Sequence, residues 1–118
     1  MIIGIGIDLV DISRFSKSLE VPNFKQKIFS FGESNLSPLH LAGRFAAREA
    51  FFKAMSDQEL FKYKDLEVIN EKNGKPKFKF FNDLSKYCND KSIHLAITQT
   101  ATHATAIVII EWNLPKIY

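Results

Sequence analysis

The fold of this chain is decided by the stretch Gly43-Arg-Phe-Ala-Ala-Arg-Glu-Ala-Phe-Phe-Lys-Ala-Met55. Most of its residues are good helix formers, its only Gly stands at one edge, and no Pro interrupts it. The stretch therefore predicts a long helix at the centre of the structure.

The two sides of this helix differ in a way that points to function. At about 100° per residue, one side carries Phe45, Phe51, Phe52 and Met55. Another carries Ala42, Ala46, Glu49 and Lys53. A helix without a broad polar face is normally buried, so its charges need partners. One reading is an i,i+4 pair between Glu49 and Lys53 on a partly exposed helix. The other is a site where the small alanines leave room for a ligand.

The composition is typical of one globular domain, which we expect to span residues 1–118. Hydrophobic residues make up 46% of the chain and charged residues 25%, and eleven Phe residues indicate an aromatic core. The net charge of +3 favours anionic partners. A nucleic-acid partner is not expected, because no Arg/Lys-rich segment with interleaved aromatic residues accompanies that charge.

The cellular setting is expected to be the cytoplasm. Cys88 is the only cysteine, which excludes a disulfide framework within one chain. The N-terminus lacks the basic region of a secretory signal, and no apolar stretch is long enough to span a membrane.

The first strand is expected to have one face that is bare of side chains apart from Asp8. Over residues 1–12, Ile3, Ile5, Ile7 and Leu9 point to one side, whereas Gly4, Gly6 and Asp8 share the other. Glycines weaken a strand and are often retained where a backbone or a ligand approaches closely. We expect them to leave an open floor beneath Asp8. The simpler alternative is that Asp8 caps the following turn.

The other elements give an α+β fold. Asp11 or Ser13 is placed to cap a short helix ending at Glu20, and residues 21–41 read as irregular. Strands are predicted at 65–70, 76–80, 93–100 and 104–112, with a hairpin turn at 71–75 and a short helix at 82–90. We therefore predict a small antiparallel sheet packed with the long central helix.

Asp8, Glu49 and Lys53 form a candidate magnesium-phosphate site. Magnesium is commonly held by one or two carboxylates together with waters and substrate phosphates. A nearby lysine can neutralise a phosphate oxygen.

Three motifs in the sequence resemble the holo-[acyl-carrier-protein] synthases, a family of small phosphopantetheinyl transferases. They are Gly4-Ile-Gly-Ile-Asp-Leu-Val-Asp-Ile-Ser-Arg14, the central stretch 43–54 and the turn Asn73-Gly-Lys-Pro76. Their order and spacing also match the family pattern, and the resemblance covers nearly the whole chain. It implies the 4′-phosphopantetheinyl transferase fold.

The resemblance also implies an activity and partners. The family transfers 4′-phosphopantetheine from coenzyme A to a serine hydroxyl of apo acyl carrier protein, with magnesium, and releases adenosine 3′,5′-bisphosphate. This reaction supports fatty acid biosynthesis. Family members are typically homotrimers with active sites between subunits.

The resemblance assigns roles to particular residues. Asp8 and Glu49 match the magnesium ligands. Glu49 and Lys53 match the catalytic pair, with Glu49 activating the carrier serine directly or through a metal-bound water and Lys53 binding and stabilising the phosphate. The implied coenzyme A contacts are Arg44, Lys53, Gly74, Lys75 and Pro76. Arg14 and Lys17 correspond to the basic helix that meets the acidic carrier protein.

The chain departs from the family pattern at three places. Gln99 replaces the usual histidine of the closing strand, whereas His94 matches. The glycine-rich turn after the central helix is replaced by residues 56–61, and the region before the helix is shorter. Because of Gln99, the alternative is a catalytically impaired module that binds coenzyme A, a nucleotide or the carrier protein.

Overall fold

The structure is a computed structural model, and it describes residues 1–55 and 61–113. The strands are β1 (Ile2–Asp11), β2 (Leu66–Asn70), β3 (Pro76–Phe80), β4 (Lys91–Gln99) and β5 (His103–Trp112). The helices are α1 (Ile12–Ser18), α2 (Phe24–Ile28), α3 (Pro38–Ala54) and α4 (Asn82–Cys88). Two single 3-10 turns lie at Phe31–Glu33 and Tyr63–Asp65. The predicted α+β class is confirmed.

The strands form two antiparallel sheets. β5 lies between β1 and β4 in a three-stranded sheet, and β2 pairs with β3 as a separate hairpin. The hairpin turn contains Gly74, whose φ of 86° lies in the left-handed region that favours glycine. The predicted hairpin turn at 71–75 is therefore present, but Gly74 alone has a positive φ and Asn73 does not, so it is not the two-residue turn that an Asn-Gly pair typically forms.

Helix α3 is longer than the stretch that predicted it. Ser37 caps its first turn by accepting a hydrogen bond from the backbone N–H of His40, and Pro38 occupies the first helical position. The interpretation of residues 21–41 as irregular is therefore partly wrong, because they contain α2, a 3-10 turn and the start of α3. No helix in the described ranges is long and apolar enough to cross a bilayer.

Gly4 and Gly6 bring β1 against the backbone of α3. A Cβ atom added at Gly4 would lie 1.9 Å from the carbonyl oxygen of Ala54, and one at Gly6 would lie 1.8 Å from that of Ala50. Only a residue without a side chain fits such a contact. The expectation of an open floor beneath Asp8 is therefore wrong, because helix α3 covers it.

The opposite side of β1 faces outward in the single chain. Ile5, Ile7 and Leu9 are 60%, 63% and 67% exposed. Ile7 pairs with Ile107 of β5, which is also exposed, so the apolar surface extends across both strands. This surface, formed by Ile3, Ile5, Ile7, Leu9 and Ile107, is called the outer sheet face below.

A buried ion pair between Glu33 and Arg48 ties α3 to the segments before and after it. Their side chains are 1% and 0% exposed, and the two guanidinium NH groups donate to the two carboxylate oxygens. Arg48 also donates to the carbonyl oxygens of Tyr63, at 3.1 Å, and Leu66, at 2.8 Å. Glu33 accepts from the backbone N–H of Val68 at 3.2 Å. These added hydrogen bonds satisfy charges that would be costly to bury alone.

Gly6→Ala is expected to lower the free energy of unfolding by about 3 kcal/mol, because β1 must move away from α3. Equilibrium unfolding in urea measures this change. The matched control is Gly32→Ala, whose Cβ would have the Glu67 carboxylate as its nearest neighbour, at 3.0 Å, and that side chain can rotate away. Equal unfolding midpoints for the two variants would contradict the close packing.

Arg48→Met is expected to cost about 3–5 kcal/mol of stability, because it leaves the Glu33 carboxylate buried without its partner. The same urea titration measures it. Lys86→Ala, which breaks a pair with Asp83 whose side chains are both 82% exposed, is the control and should change stability little. A similar small effect for both variants would show that the buried pair does not support the fold.

Candidate active site

Asp8 lies where β1 passes the last turns of α3, on the same side of the strand as Gly6. Its Oδ1 is 2.8 Å from the Nζ of Lys53, which also donates to the carbonyl oxygen of Ile7 at 3.2 Å. The Asp8 side chain is 15% exposed and that of Lys53 is 51% exposed, so the pair is open to solvent on the lysine side. The described ion pair of Lys53 is thus with Asp8, not with Glu49 one helical turn before it.

Glu49 is half-buried and is held by Tyr63. The Tyr63 hydroxyl donates to Oε1 of Glu49 at 2.9 Å. Burial raises the pKa of Tyr63, and the hydrogen bond to Glu49 and the negative charges of Glu49 and Asp8 raise it further. The phenol therefore stays protonated at neutral pH and remains a hydrogen-bond donor.

Asp8 and Glu49 open onto one cavity of 630 Å³. Its other polar side chains come from Asp11, Arg14, Ser18 and His103. Aromatic side chains complete the wall: Phe15, Phe24 and Phe45. The structure thus brings together two carboxylates that are 41 positions apart in the chain, beside an arginine, on a surface large enough for part of a phosphorylated ligand.

The donor set suits a magnesium ion that shares its ligands with a substrate. Among residues 1–55 and 61–113, no group of three or more His, Cys, Asp or Glu side chains could hold a metal by itself. Two carboxylates on one cavity are what magnesium typically takes from a protein when phosphates and waters supply the remaining oxygens. Asp8 and Glu49 therefore fit the ion, provided that the substrate contributes to its coordination.

Helix α1 presents a basic edge beside this cavity. The Asp11 side chain caps the helix by accepting a hydrogen bond from the backbone N–H of Arg14 at 3.1 Å, as one of the two predicted caps. Arg14 is exposed and lines the cavity. Lys17 is exposed nearly one turn further along the helix, outside the cavity lining.

Arg44 is directed into the protein, toward Glu33. Its Nε lies 3.7 Å from Oε2 of Glu33, and its side chain is only 13% exposed. Burial lowers the pKa of Arg44, and Glu33 opposes that shift. Arg44 is absent from the described lining of the cavity. Within one chain the structure therefore does not bring it to Asp8 and Glu49.

The turn that carries Gly74, Lys75 and Pro76 is also separate from this cavity. It closes the β2–β3 hairpin, and the backbone N–H of Lys75 donates to the side chain of Asn73 at 3.0 Å. None of these three residues belongs to the described cavity lining. Within one chain the structure therefore does not bring this turn to Asp8 and Glu49.

Gln99 occupies a structural position at the end of β4. Its Nε2 donates to the carbonyl oxygen of Leu39 at 2.6 Å, in the first turn of α3. It packs so closely on Gly43 that a Cβ there would lie 2.5 Å from the same nitrogen. His94 lies 2.7 Å from Glu111 on the opposite side of the sheet. The departure predicted for the turn after α3 falls mainly on residues 56–60, outside the described residues.

Two residues of the site were missed by the sequence interpretation. His103 pairs with Asp11 across β1 and β5 and lies 4.0 Å from its carboxylate. The strand register would have revealed this neighbour, but the sequence alone does not fix it. Tyr63 lies in a 3-10 turn without hydrophobic periodicity, so no pattern connects it with Glu49.

Comparison with known proteins gives consistent matches. The sequence model of the 4′-phosphopantetheinyl transferase superfamily matches residues 4–108. A relative from Leifsonia xyli, named holo-[acyl-carrier-protein] synthase, is 36% identical over 115 residues, covering 94% of this chain and 98% of the relative.

Solved structures agree with these sequence matches. A holo-(acyl-carrier-protein) synthase from Bacillus anthracis, in complex with CoA (3′,5′-ADP), has a TM-score of 0.81 and 32% identity, covering 96% of this chain and 99% of that one. The Helicobacter pylori enzyme of the same name, in complex with coenzyme A, has a TM-score of 0.80 and 25% identity, covering 91% and 99%.

Proposed function

The chain belongs to the 4′-phosphopantetheinyl transferase superfamily, and we infer from this membership that it is a holo-[acyl-carrier-protein] synthase. It transfers 4′-phosphopantetheine from coenzyme A to a serine hydroxyl of apo acyl carrier protein. The observation that carries this conclusion for the chain itself is the cavity shared by Asp8 and Glu49, with Lys53 paired to Asp8. The coenzyme A complexes of similar structures support the same substrate.

The proposed metal is magnesium, with Asp8 and Glu49 as its protein ligands. When bound, magnesium neutralises charge on the pyrophosphate of coenzyme A and on the departing bisphosphate. Both carboxylates already face one cavity from two different elements, so neither has to be recruited from elsewhere in the chain.

The remaining chemistry is assigned to residues of the chain. Glu49 accepts the proton of the carrier serine hydroxyl. The serine oxygen then bonds to the phosphorus that bears pantetheine, the bond from that phosphorus to the bridging oxygen breaks, and adenosine 3′,5′-bisphosphate leaves with the electron pair. Lys53 places its positive charge beside the phosphate, and its exposed ammonium can turn from Asp8 to an incoming oxygen.

We propose that the active enzyme is a homotrimer with sites between subunits. The outer sheet face exposes an apolar surface across β1 and β5, which water would solvate poorly. Copies of this chain covering that face would remove it from water. Such an assembly also gives Gly74, Lys75 and Pro76 a way to reach coenzyme A, because they lie outside the cavity of their own chain. Arg44 is assigned to the same phosphates and would have to turn away from Glu33.

The acyl carrier protein is proposed to dock on α1, through Arg14 and Lys17. Arg14 borders the cavity, so a carrier bound there places its serine near Glu49. Attraction between these cations and an acidic carrier should weaken as salt increases. Fatty acid biosynthesis is the proposed use of the modified carrier.

Asp8→Asn and Glu49→Gln are each expected to reduce transfer by about 100-fold or more, because each removes a carboxylate needed for charge neutralisation or proton transfer. Intact mass spectrometry of apo acyl carrier protein, incubated with coenzyme A and magnesium, measures the phosphopantetheine added. Asp83→Asn, at an exposed position of α4, is the control. Full activity in either site variant would contradict its assignment. Coenzyme A binding without transfer by the unmodified protein would instead support the impaired binding module.

Ile5→Glu and Ile7→Glu are expected to convert the trimer to monomers and to reduce transfer in parallel, because each places a charge on the outer sheet face. Analytical ultracentrifugation measures the oligomeric state. Val21→Glu changes an exposed apolar residue that is 56% exposed but lies off this face, and it should leave the trimer intact. A protein that sediments as a monomer before any substitution would refute the trimer.

A further inference from the structure

We propose that Tyr63 is a positioning residue for Glu49, and that its hydroxyl holds one carboxylate oxygen so that the other faces metal and substrate. This inference rests on the proposed function, because it concerns the residue assigned as metal ligand and proton acceptor. Nothing in the motifs of the sequence singled out Tyr63.

The direction of the hydrogen bond supports this role. An ionised carboxylate can only accept, so the Tyr63 hydroxyl donates to Oε1 of Glu49, across 2.9 Å. Glu49 lines the cavity, whereas Tyr63 is not among the described residues that do so. The hydroxyl therefore contacts the carboxylate from the protein side. It restricts the rotation of the carboxylate without occupying the space that a substrate would take.

The tyrosine ring is itself held by helix α3. It stacks on Phe52 with ring centroids 4.8 Å apart and planes inclined by 11°, and its other ring contact is with Phe45 at 6.4 Å. Arg48 donates to the Tyr63 carbonyl oxygen at 3.1 Å. These residues lie on the same helix as Glu49, so the helix that carries the carboxylate also fixes the group that orients it.

The hydroxyl is not required for the packing of the ring. A phenylalanine at position 63 could stack on Phe52 in the same way, since the stacking involves only the aromatic faces. The purely structural alternative is that the half-buried phenol donates to Glu49 only because that carboxylate is the nearest acceptor. The two readings differ in what happens to Glu49 when the hydroxyl is removed: the positioning role predicts a loss of metal affinity, and the structural reading does not.

Tyr63→Phe tests the proposal by removing the hydrogen bond and keeping the ring. At saturating magnesium, where the metal site is filled, we expect kcat to fall about 10–100-fold with the KM for coenzyme A unchanged, as is typical when a group that orients a metal ligand is lost. Titration with Mn2+ in the presence of coenzyme A, followed by electron paramagnetic resonance of the free ion, measures metal binding without turnover. Affinity for Mn2+ should fall over the same range.

Two further variants separate positioning from folding. Tyr87→Phe makes the same chemical change on α4, and it should alter neither kcat nor Mn2+ affinity. Phe52→Leu keeps the Tyr63 hydroxyl but removes the ring stacked beneath it, and it should lower both quantities by less than Tyr63→Phe does. If Tyr63→Phe lowers thermal stability while kcat and Mn2+ affinity stay at wild-type values, the proposal is overturned.

Failure of the proposed function is distinguishable from failure of this inference. If the unmodified protein transfers no phosphopantetheine to any apo carrier, the proposed function fails. The Mn2+ titration still reports whether Tyr63 supports binding by Glu49. If transfer is normal and Tyr63→Phe changes neither measurement, only the inference fails.

Discussion

The backbone contact between β1 and α3 is the constraint on which the rest of the structure depends. Because Gly4 and Gly6 have no side chains, the strand lies directly against the carbonyl oxygens of the helix. This closeness lets the next residue on that side of the strand, Asp8, reach Lys53 and share a cavity with Glu49. The same contact directs the isoleucines of β1 to the opposite side, where they form the outer sheet face. The fold, the candidate site and the proposed assembly therefore all depend on the contact between β1 and α3.

Two cationic side chains of α3, Arg48 and Lys53, differ in how freely they can move. Arg48 is fully buried and hydrogen-bonded to Glu33 and to three carbonyl groups, so it has little freedom to move. Lys53, five residues later, makes one ion pair with Asp8 and is half exposed. The first arrangement fixes the segments around the helix, and the second leaves a cation able to change partners. A phosphate-transfer site needs both properties, since catalysis of this type is mainly positioning and charge neutralisation.

Most of the secondary structure and the pairing of carboxylates followed from local patterns. Alternation located the strands, the Asn-Gly pair located the hairpin, and the motifs gave the family, which the comparisons confirm. Those local patterns did not predict the contacts between residues that are distant in the sequence. The glycines indicated a close approach but not what approaches, and the Glu33–Arg48 pair joins positions 15 residues apart across irregular chain. The orientation of Arg44 toward Glu33 and the separation of Lys75 from the described cavity were not predicted either, because both depend on tertiary packing.

The contacts between β1 and α3 are spaced almost equally along the strand and along the helix. Two residues of strand advance about 6.6 Å and four residues of helix about 6.0 Å, so Gly4 meets Ala54 and Gly6 meets Ala50 in antiparallel steps that almost coincide. Deleting one residue between Gly6 and Asp8 would turn the carboxylate to the outer sheet face, since strand side chains alternate. The number of residues between Gly6 and Asp8 is therefore fixed by the packing of the strand on the helix, and a one-residue deletion there would remove the Asp8 carboxylate from the site even though the side chain itself is kept.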